Sequence, residues 1–139
     1  MPAWTLRREA AALLGYVCVA LVFAWPLPRR LAVALLRLPD GDAGVYVWNL
    51  WVFRHEIIAN HHLPFLTSEI LALNPSVPLA LHNYTTFANL LAFPLLPLLG
   101  VVKTFNVLVL ASGVLSGYAM YLYARARTGR GQIVDVALH

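Results

Sequence analysis

Two neighbouring acids, Asp40 and Asp42, are the residues of this sequence whose types and spacing best suit chemistry. They are separated only by Gly41, they follow a long uncharged run, and they precede a tryptophan-rich segment. Carboxylates of this kind serve as proton acceptors in acid–base catalysis. Because the uncharged run predicts a membrane span, we expect the two carboxylates to lie just past its end, at a membrane surface.

The composition establishes the class of protein that positions these acids. Hydrophobic residues make up 60% of the chain, charged residues only 12%, and the mean hydropathy is +0.71. Soluble proteins have about half apolar and a quarter charged residues, so this composition predicts an integral membrane protein. The net charge of +4 is clustered beside apolar runs, which argues against a nucleic-acid partner. The single cysteine, Cys18, excludes an intramolecular disulfide and a cysteine-rich metal site.

Two uncharged runs are long enough to cross a bilayer, which needs roughly twenty residues. They cover residues 10–28 and 104–124. A cleaved signal peptide is the alternative for the first run, but no small-residue cleavage site stands near its end. A third apolar stretch, residues 85–100, is interrupted by Pro94 and Pro97 and favours a re-entrant or interfacial helix.

Basic residues beside the spans predict the orientation in the membrane. Arginines stand before the first span and after the second, and such residues mark the cytoplasmic side. We therefore expect both termini in the cytoplasm of a multi-pass protein, with residues 29–103 as one large outer loop. Arg29, Arg30 and Arg37 oppose this orientation. In the second span, Gly113 and Gly117 have the spacing that lets a partner helix approach closely.

Apolar residues recur at helical spacing from Ala43 to about Asn60, and Asp42 is a suitable N-cap for that helix. Asn49, Glu56 and Asn60 form a narrow polar strip on a mostly apolar surface. Indoles prefer the headgroup level, so Trp48 and Trp51 indicate a juxtamembrane helix that lies in the membrane interface. The predicted fold class is thus all-α, with two transmembrane helices joined by a large outer loop that contains juxtamembrane helices.

Several short motifs in order resemble the start of a bacterial GT-C glycosyltransferase. They are Gly-Asp-Ala with Trp-x-Leu-Trp in residues 41–51, Leu-Pro-Phe-Leu-Thr in 63–67, Asn-Pro and Leu-Ala-Leu-His in 74–82, and Phe-Asn-Val-Leu in 105–108. These polytopic membrane enzymes include the dolichyl-phosphate-mannose mannosyltransferases and the aminoarabinose transferases. The resemblance covers residues 8 to 130 and implies a location in the bacterial inner membrane. It also implies a polyprenyl-phosphate sugar as donor.

The resemblance assigns the catalytic base to Asp42, with Asp40 as its neighbour and possible substitute. The base would accept the proton of an acceptor hydroxyl during sugar transfer. Asp42 as a helix cap alone is the structural alternative. His82 and Asn83 correspond to polar groups that the family often keeps near the donor phosphate.

Three residues of the predicted juxtamembrane helix complete the expected substrate-binding set: Trp48, Trp51 and Arg54. For Arg54, the alternative is a cation that extends from an interfacial helix towards water. His55, His61 and His62 lack the spacing of metal-binding helices, so we expect no metal ion and no other cofactor.

Two spans are fewer than a GT-C donor cavity needs, so we expect this chain to be the N-terminal fragment of a larger bundle and inactive alone. Residues 131–139 would be a cytoplasmic tail. Residues 123–138 resemble a short stretch of family III CoA-transferases, which we interpret as coincidence or a gene junction. The alternatives from other classes are a non-catalytic two-span scaffold, and part of a lipid-linked-sugar flippase or transporter.

Overall fold

The computed structural model describes residues 3–35, 42–69, 76–81 and 84–128. Of the residues singled out above, Arg37, Asp40, His82, Asn83 and the tail 131–139 lie outside the described part. The described helices are α1 (Ala3–Phe23), α2 (Ala43–Ile58), α3 (Thr86–Ala92), α4 (Leu96–Leu99) and α5 (Val101–Thr128). Three short 3-10 helices cover Leu27–Arg29, Leu79–Leu81 and Phe93–Leu95.

The predicted helical class is confirmed, with one small addition. Two short strands, β1 (Leu66–Thr67) and β2 (Val77–Pro78), form an antiparallel pair in which Leu66 lies opposite Pro78. The all-α prediction therefore holds for the mostly helical architecture and misses this two-residue ladder.

Within the described residues, α5 is the one helix that is long and apolar enough to cross a membrane. It contains the whole run 104–124 predicted as the second span. The first predicted span, 10–28, corresponds only in part to α1, which begins at Ala3 and ends at Phe23. The helix therefore includes Arg7, Arg8 and Glu9, and the chain turns before Pro28. A crossing at 10–28 stays a prediction.

The chain divides into two compact units. The first unit comprises residues 1–29 and 109–139, and the second comprises residues 30–108. In the first unit, Glu9 accepts a hydrogen bond from the Tyr118 hydroxyl at 2.9 Å and forms an ion pair with Arg125. About two helical turns further along α1, the ring of Tyr16 lies against Gly117. These contacts make α1 and the second part of α5 antiparallel neighbours.

Most large apolar side chains of the first unit face outward. On α1, Leu14, Val22 and Phe23 are exposed, as are Leu115 and Leu122 on α5. The two helices are too few to bury one another's apolar surface. A lipid environment, or further helices, would cover side chains of this kind.

The second unit has a small apolar core built where α2 meets the helices after residue 85. Leu50 of α2, Ala92 of α3 and Leu96 of α4 are buried together. Phe93, Val101, Phe105 and Leu108 pack around them. Pro94 and Pro97 stand near the first positions of a 3-10 turn and of α4, where proline is tolerated, and Gly100 ends α4 with a positive φ of 73°. The stretch 85–100 thus forms short, interrupted helices instead of one smooth one.

A buried asparagine fixes the turn formed by residues 30–34. Asn106 of α5 donates hydrogen bonds from Nδ2 to the carbonyl oxygens of Leu31 at 2.8 Å and Ala34 at 2.7 Å. Leu31 and Ala34 belong to a turn in which the Arg30 carbonyl oxygen accepts hydrogen bonds from the amides of Val33 and Ala34. Asn106 is fully buried, so these two bonds replace the water that would otherwise satisfy the carbonyl groups.

Candidate functional site

Asp42 stands at the N-cap position of α2, as the sequence predicts, but its side chain does not cap the helix. Its backbone φ of −60° and ψ of −10° are already helical, and no side-chain capping hydrogen bond forms. A capping side chain usually requires a more extended N-cap conformation. The Asp42 side chain is exposed, so its carboxylate oxygens are accessible to a substrate.

The side chains of Trp51, Arg54 and His55 line a shallow groove of about 170 Å³ along the outer face of α2, together with Ile58 and Ala59. The rings of Trp51 and His55 stack, with centroids 4.9 Å apart and 12° between the planes. His55 Nε2 lies 3.5 Å from Glu69 Oε1. Two of the predicted substrate-binding residues, Trp51 and Arg54, are therefore brought together in one groove.

This groove does not lie next to Asp42. At about 1.5 Å per residue, the helix rises about 18 Å from Asp42 to Arg54. A phosphate held by Arg54 therefore cannot belong to the bond that breaks next to a hydroxyl held by Asp42. Trp48 lies on the first half of the same helix and is half-buried. Trp51 and Arg54 are thus the predicted site residues that line this groove.

The polar strip of α2 faces the interior of the second unit. Asn49 and Glu56 are buried, and the side-chain amide of Asn60 donates a hydrogen bond to Glu56 Oε2 at 3.0 Å. The sequence correctly groups these three residues on one side of the helix. The two buried residues, Asn49 and Glu56, belong to a helix that packs against α3.

Two residues that the sequence analysis does not single out complete a polar cluster with Glu56. Asn89 of α3 is buried, and Tyr84, just before α3, is half-buried. Among the described residues, Glu56 Oε1, the Tyr84 hydroxyl and Asn89 Nδ2 have no hydrogen-bond partner. We call Glu56, Tyr84 and Asn89 the buried polar cluster. An asparagine within an apolar helix, as at position 89, is the feature of the sequence that could have indicated it.

Burial raises the pKa of Tyr84 to about 12. The negative charge of Glu56 acts in the same direction, because it disfavours a second negative charge nearby. The Asn89 side chain lowers the pKa and offsets part of this rise, although it does not meet hydrogen-bond geometry with the phenol. Tyr84 is therefore a neutral phenol, and thus a hydrogen-bond donor, throughout the physiological pH range.

Within the described ranges, no three histidine, cysteine, aspartate or glutamate side chains come together as a metal-binding group. The comparisons with known proteins do not supply an identity either. No protein-family model matches the chain, and no curated protein or solved structure matches it significantly.

Proposed function

We propose that this chain is the N-terminal portion of a membrane glycosyltransferase, which moves a sugar from a polyprenyl-phosphate donor to an acceptor hydroxyl outside the cytoplasm. Asp42 is the general base. The observation that carries the proposal is the exposed Asp42 side chain, which stands at the start of α2 without capping it. A purely structural role for this acid would use its side chain as a cap.

Two features of the first unit support a membrane location with both termini on one side. The helix α5 is long and apolar enough to span a bilayer. Its antiparallel contact with α1 brings the basic residues after Tyr123 to the same end of the unit as Arg7 and Arg8. Basic residues at a shared end agree with a cytoplasmic position for both termini in a bacterial inner membrane.

In the proposed reaction, Asp42 accepts the proton of the acceptor hydroxyl. The acceptor oxygen forms a bond to the anomeric carbon of the donor sugar, and the bond from that carbon to the phosphate oxygen breaks. The polyprenyl phosphate leaves with the bonding electron pair. One base is sufficient for such a displacement with inversion at the anomeric carbon.

Trp51 and Arg54 have a different role in this proposal, because they lie too far along α2 from Asp42. Arg54 has no ion-pair partner among the described residues, and Trp51 exposes 38% of its surface. An indole beside an unpaired guanidinium suits the headgroup level of a membrane, where the cation meets lipid phosphate. In this proposal the groove holds a membrane lipid and takes no part in the bond exchange.

Replacement of Asp42 by asparagine in the full-length protein tests the assignment. Asn is as good an N-cap as Asp, so Asp42→Asn removes the basic oxygen and keeps any capping capacity. We expect normal abundance in the membrane, with sugar transfer from a polyprenyl-phosphate donor reduced by roughly 10²- to 10⁴-fold, the usual contribution of a positioned base. Asp40→Asn is the matched control and should lose much less. Full transfer by Asp42→Asn would remove the catalytic role.

A non-catalytic membrane scaffold is the second candidate, and the close contact of Tyr16 with Gly117 favours it. Such a protein would use α1 and α5 to hold a partner helix. Gly113 lies one turn earlier on α5 with open space around it, which leaves room for another helix. If both aspartate variants retain all function of the full-length protein, this candidate replaces the enzyme.

A further inference from the structure

The buried polar cluster contains polar atoms that the described protein does not satisfy. Glu56 exposes only 3% of its surface and Asn89 only 1%, yet Oε1 of the first and Nδ2 of the second have no partner among the described residues. The Tyr84 hydroxyl is the third such atom. Buried polar groups in folded proteins are nearly always hydrogen-bonded, so three together indicate a place where something binds.

These three side chains lie close to one another. Helix α2, which carries Glu56, packs against α3, which carries Asn89. Both Glu56 and Asn89 are near enough to Tyr84 to influence its phenol. Tyr84 is half-buried, so the cluster reaches towards the surface of the second unit.

The types of the three atoms select the chemistry of the ligand. Glu56 Oε2 already accepts a bond from Asn60, so Oε1 remains as an acceptor. The Tyr84 hydroxyl and Asn89 Nδ2 are donors. A hydroxyl group has one hydrogen to donate and two lone pairs to accept, which matches the one acceptor and the two donors of the cluster. An ammonium group or a metal ion has no lone pair for Asn89 Nδ2.

We propose that Glu56, Tyr84 and Asn89 form a subsite that binds a hydroxyl group of a sugar. This inference rests on the proposed sugar-transfer function, which it extends to the substrate. At about 1.5 Å per residue, Glu56 lies about 21 Å along α2 from Asp42. The subsite therefore binds a sugar unit other than the one whose bond breaks, as in an acceptor that carries several sugars.

Sugar binding to the purified chain, in a detergent without a sugar headgroup, tests the subsite. Thermal unfolding is followed in the presence of mannose, glucose or maltose, with choline as a cationic probe. We expect at least one sugar to raise the unfolding midpoint of the wild-type chain, because ligands that bind only the folded state stabilise it. Choline should have no effect.

Tyr84→Phe removes one donor and Glu56→Gln removes the charged acceptor, and each should weaken sugar binding by roughly five- to tenfold. Tyr84→Phe also deletes a buried hydroxyl without a partner, so it should fold at least as well as the wild type. Tyr121→Phe is the matched control, since its hydroxyl makes no hydrogen bond among the described residues, and it should bind like the wild type.

Three results would overturn the subsite: no response of the wild-type chain to any of the sugars, an equal response in Tyr84→Phe, or a response to choline alone. The test of the subsite and the test of Asp42 as the base can fail independently of each other. Asp42→Asn should keep the sugar response even when transfer is lost. If Asp42→Asn retains transfer while Tyr84→Phe loses the sugar response, the assignment of the base fails and the subsite remains.

Discussion

The two units differ in which side chains they expose and which they bury. In the first unit, the apolar side chains face outward, and the polar contacts gather where Glu9 meets Tyr118 and Arg125. In the described part of the second unit, six polar side chains are buried: Asn49, Glu56, Thr67, Asn89, Thr104 and Asn106. The first arrangement suits an apolar surrounding, whereas the second resembles the interior of a protein that orders its loops by hydrogen bonds.

This difference indicates that the two units have different roles. Exposed apolar helices with close contacts at small residues need only a lipid phase or neighbouring helices to be stable. Buried polar groups are costly unless they are satisfied, so a unit that retains several of them uses them for specific positions or for binding. We therefore expect the second unit to carry the substrate and the first to hold it at the membrane.

The replacement Asn106→Asp should have the largest effect on stability. It exchanges the amide donor, which bonds two carbonyl oxygens, for a carboxylate oxygen in a fully buried place. An uncompensated buried charge costs about 3 to 5 kcal/mol. Denaturant unfolding in detergent would measure the loss.

Asn106→Leu is the comparison variant for this position. It loses the same two hydrogen bonds but adds no charge, and it deletes Asn106 Oδ1, which has no partner among the described residues. We expect a loss of only about 1 to 2 kcal/mol. If the two variants were equally unstable, the buried charge would not be the cause, and the loss of the two hydrogen bonds that both variants share would explain the effect.

For the first unit, Gly117→Ile tests whether close helix contact holds α1 to α5. A Cβ atom at position 117 would lie 2.6 Å from the ring of Tyr16, so the ring or the helix must move. Overpacking of this kind costs about 1 to 3 kcal/mol. Gly113→Ile is the matched control because a Cβ there meets nothing within 4 Å. Equal thermal midpoints for the two variants would contradict this contact.

Much of the helical architecture could be predicted from local sequence. The helical spacing after Asp42 places α2 within two residues of its end, at Ile58, and the apolar run 104–124 lies inside α5. The breaks at Pro94 and Pro97 are also local effects, since proline cannot continue a helix from its interior. Such features depend on neighbours in the sequence, and they were found.

The features that were missed depend on distant residues. The sequence groups the polar strip on one side of α2, but whether such a strip faces water or the interior depends on α3, which follows some thirty residues later. The Asn106 contacts join residues 72 and 75 positions apart. Likewise, Gly113 and Gly117 have equivalent surroundings in sequence, and only the position of Tyr16 distinguishes them.

A smaller effect is expected from Arg125→Gln, which breaks the ion pair with Glu9. Both side chains are partly exposed, at 34% and 23%, so solvent screens the pair. We expect a loss of about 0.5 to 1 kcal/mol that shrinks in high salt. Arg127→Gln, whose guanidinium lies over the ring of Tyr123, is the control and should not share the salt dependence. A salt-independent loss for Arg125→Gln would mean packing, not charge, joins the helices there.

The smallest effect, and the most local, is the ionisation of Tyr84. Burial is the main cause of its pKa of about 12, so the difference in near-ultraviolet absorbance between wild type and Tyr84→Phe should show a phenol that ionises near pH 12. In the unfolded chain it ionises near pH 10. The folded chain then binds the proton more tightly, and the contribution of Tyr84 to stability, complete below pH 10, is lost as the pH rises towards 12. Glu56→Gln should lower this pKa but leave it above 10, since burial remains, whereas Asn89→Ala should raise it further. A Tyr84 that ionises near pH 10 in the folded protein would place the phenol in water, and would remove the contrast between a polar interior in the second unit and an apolar exterior in the first.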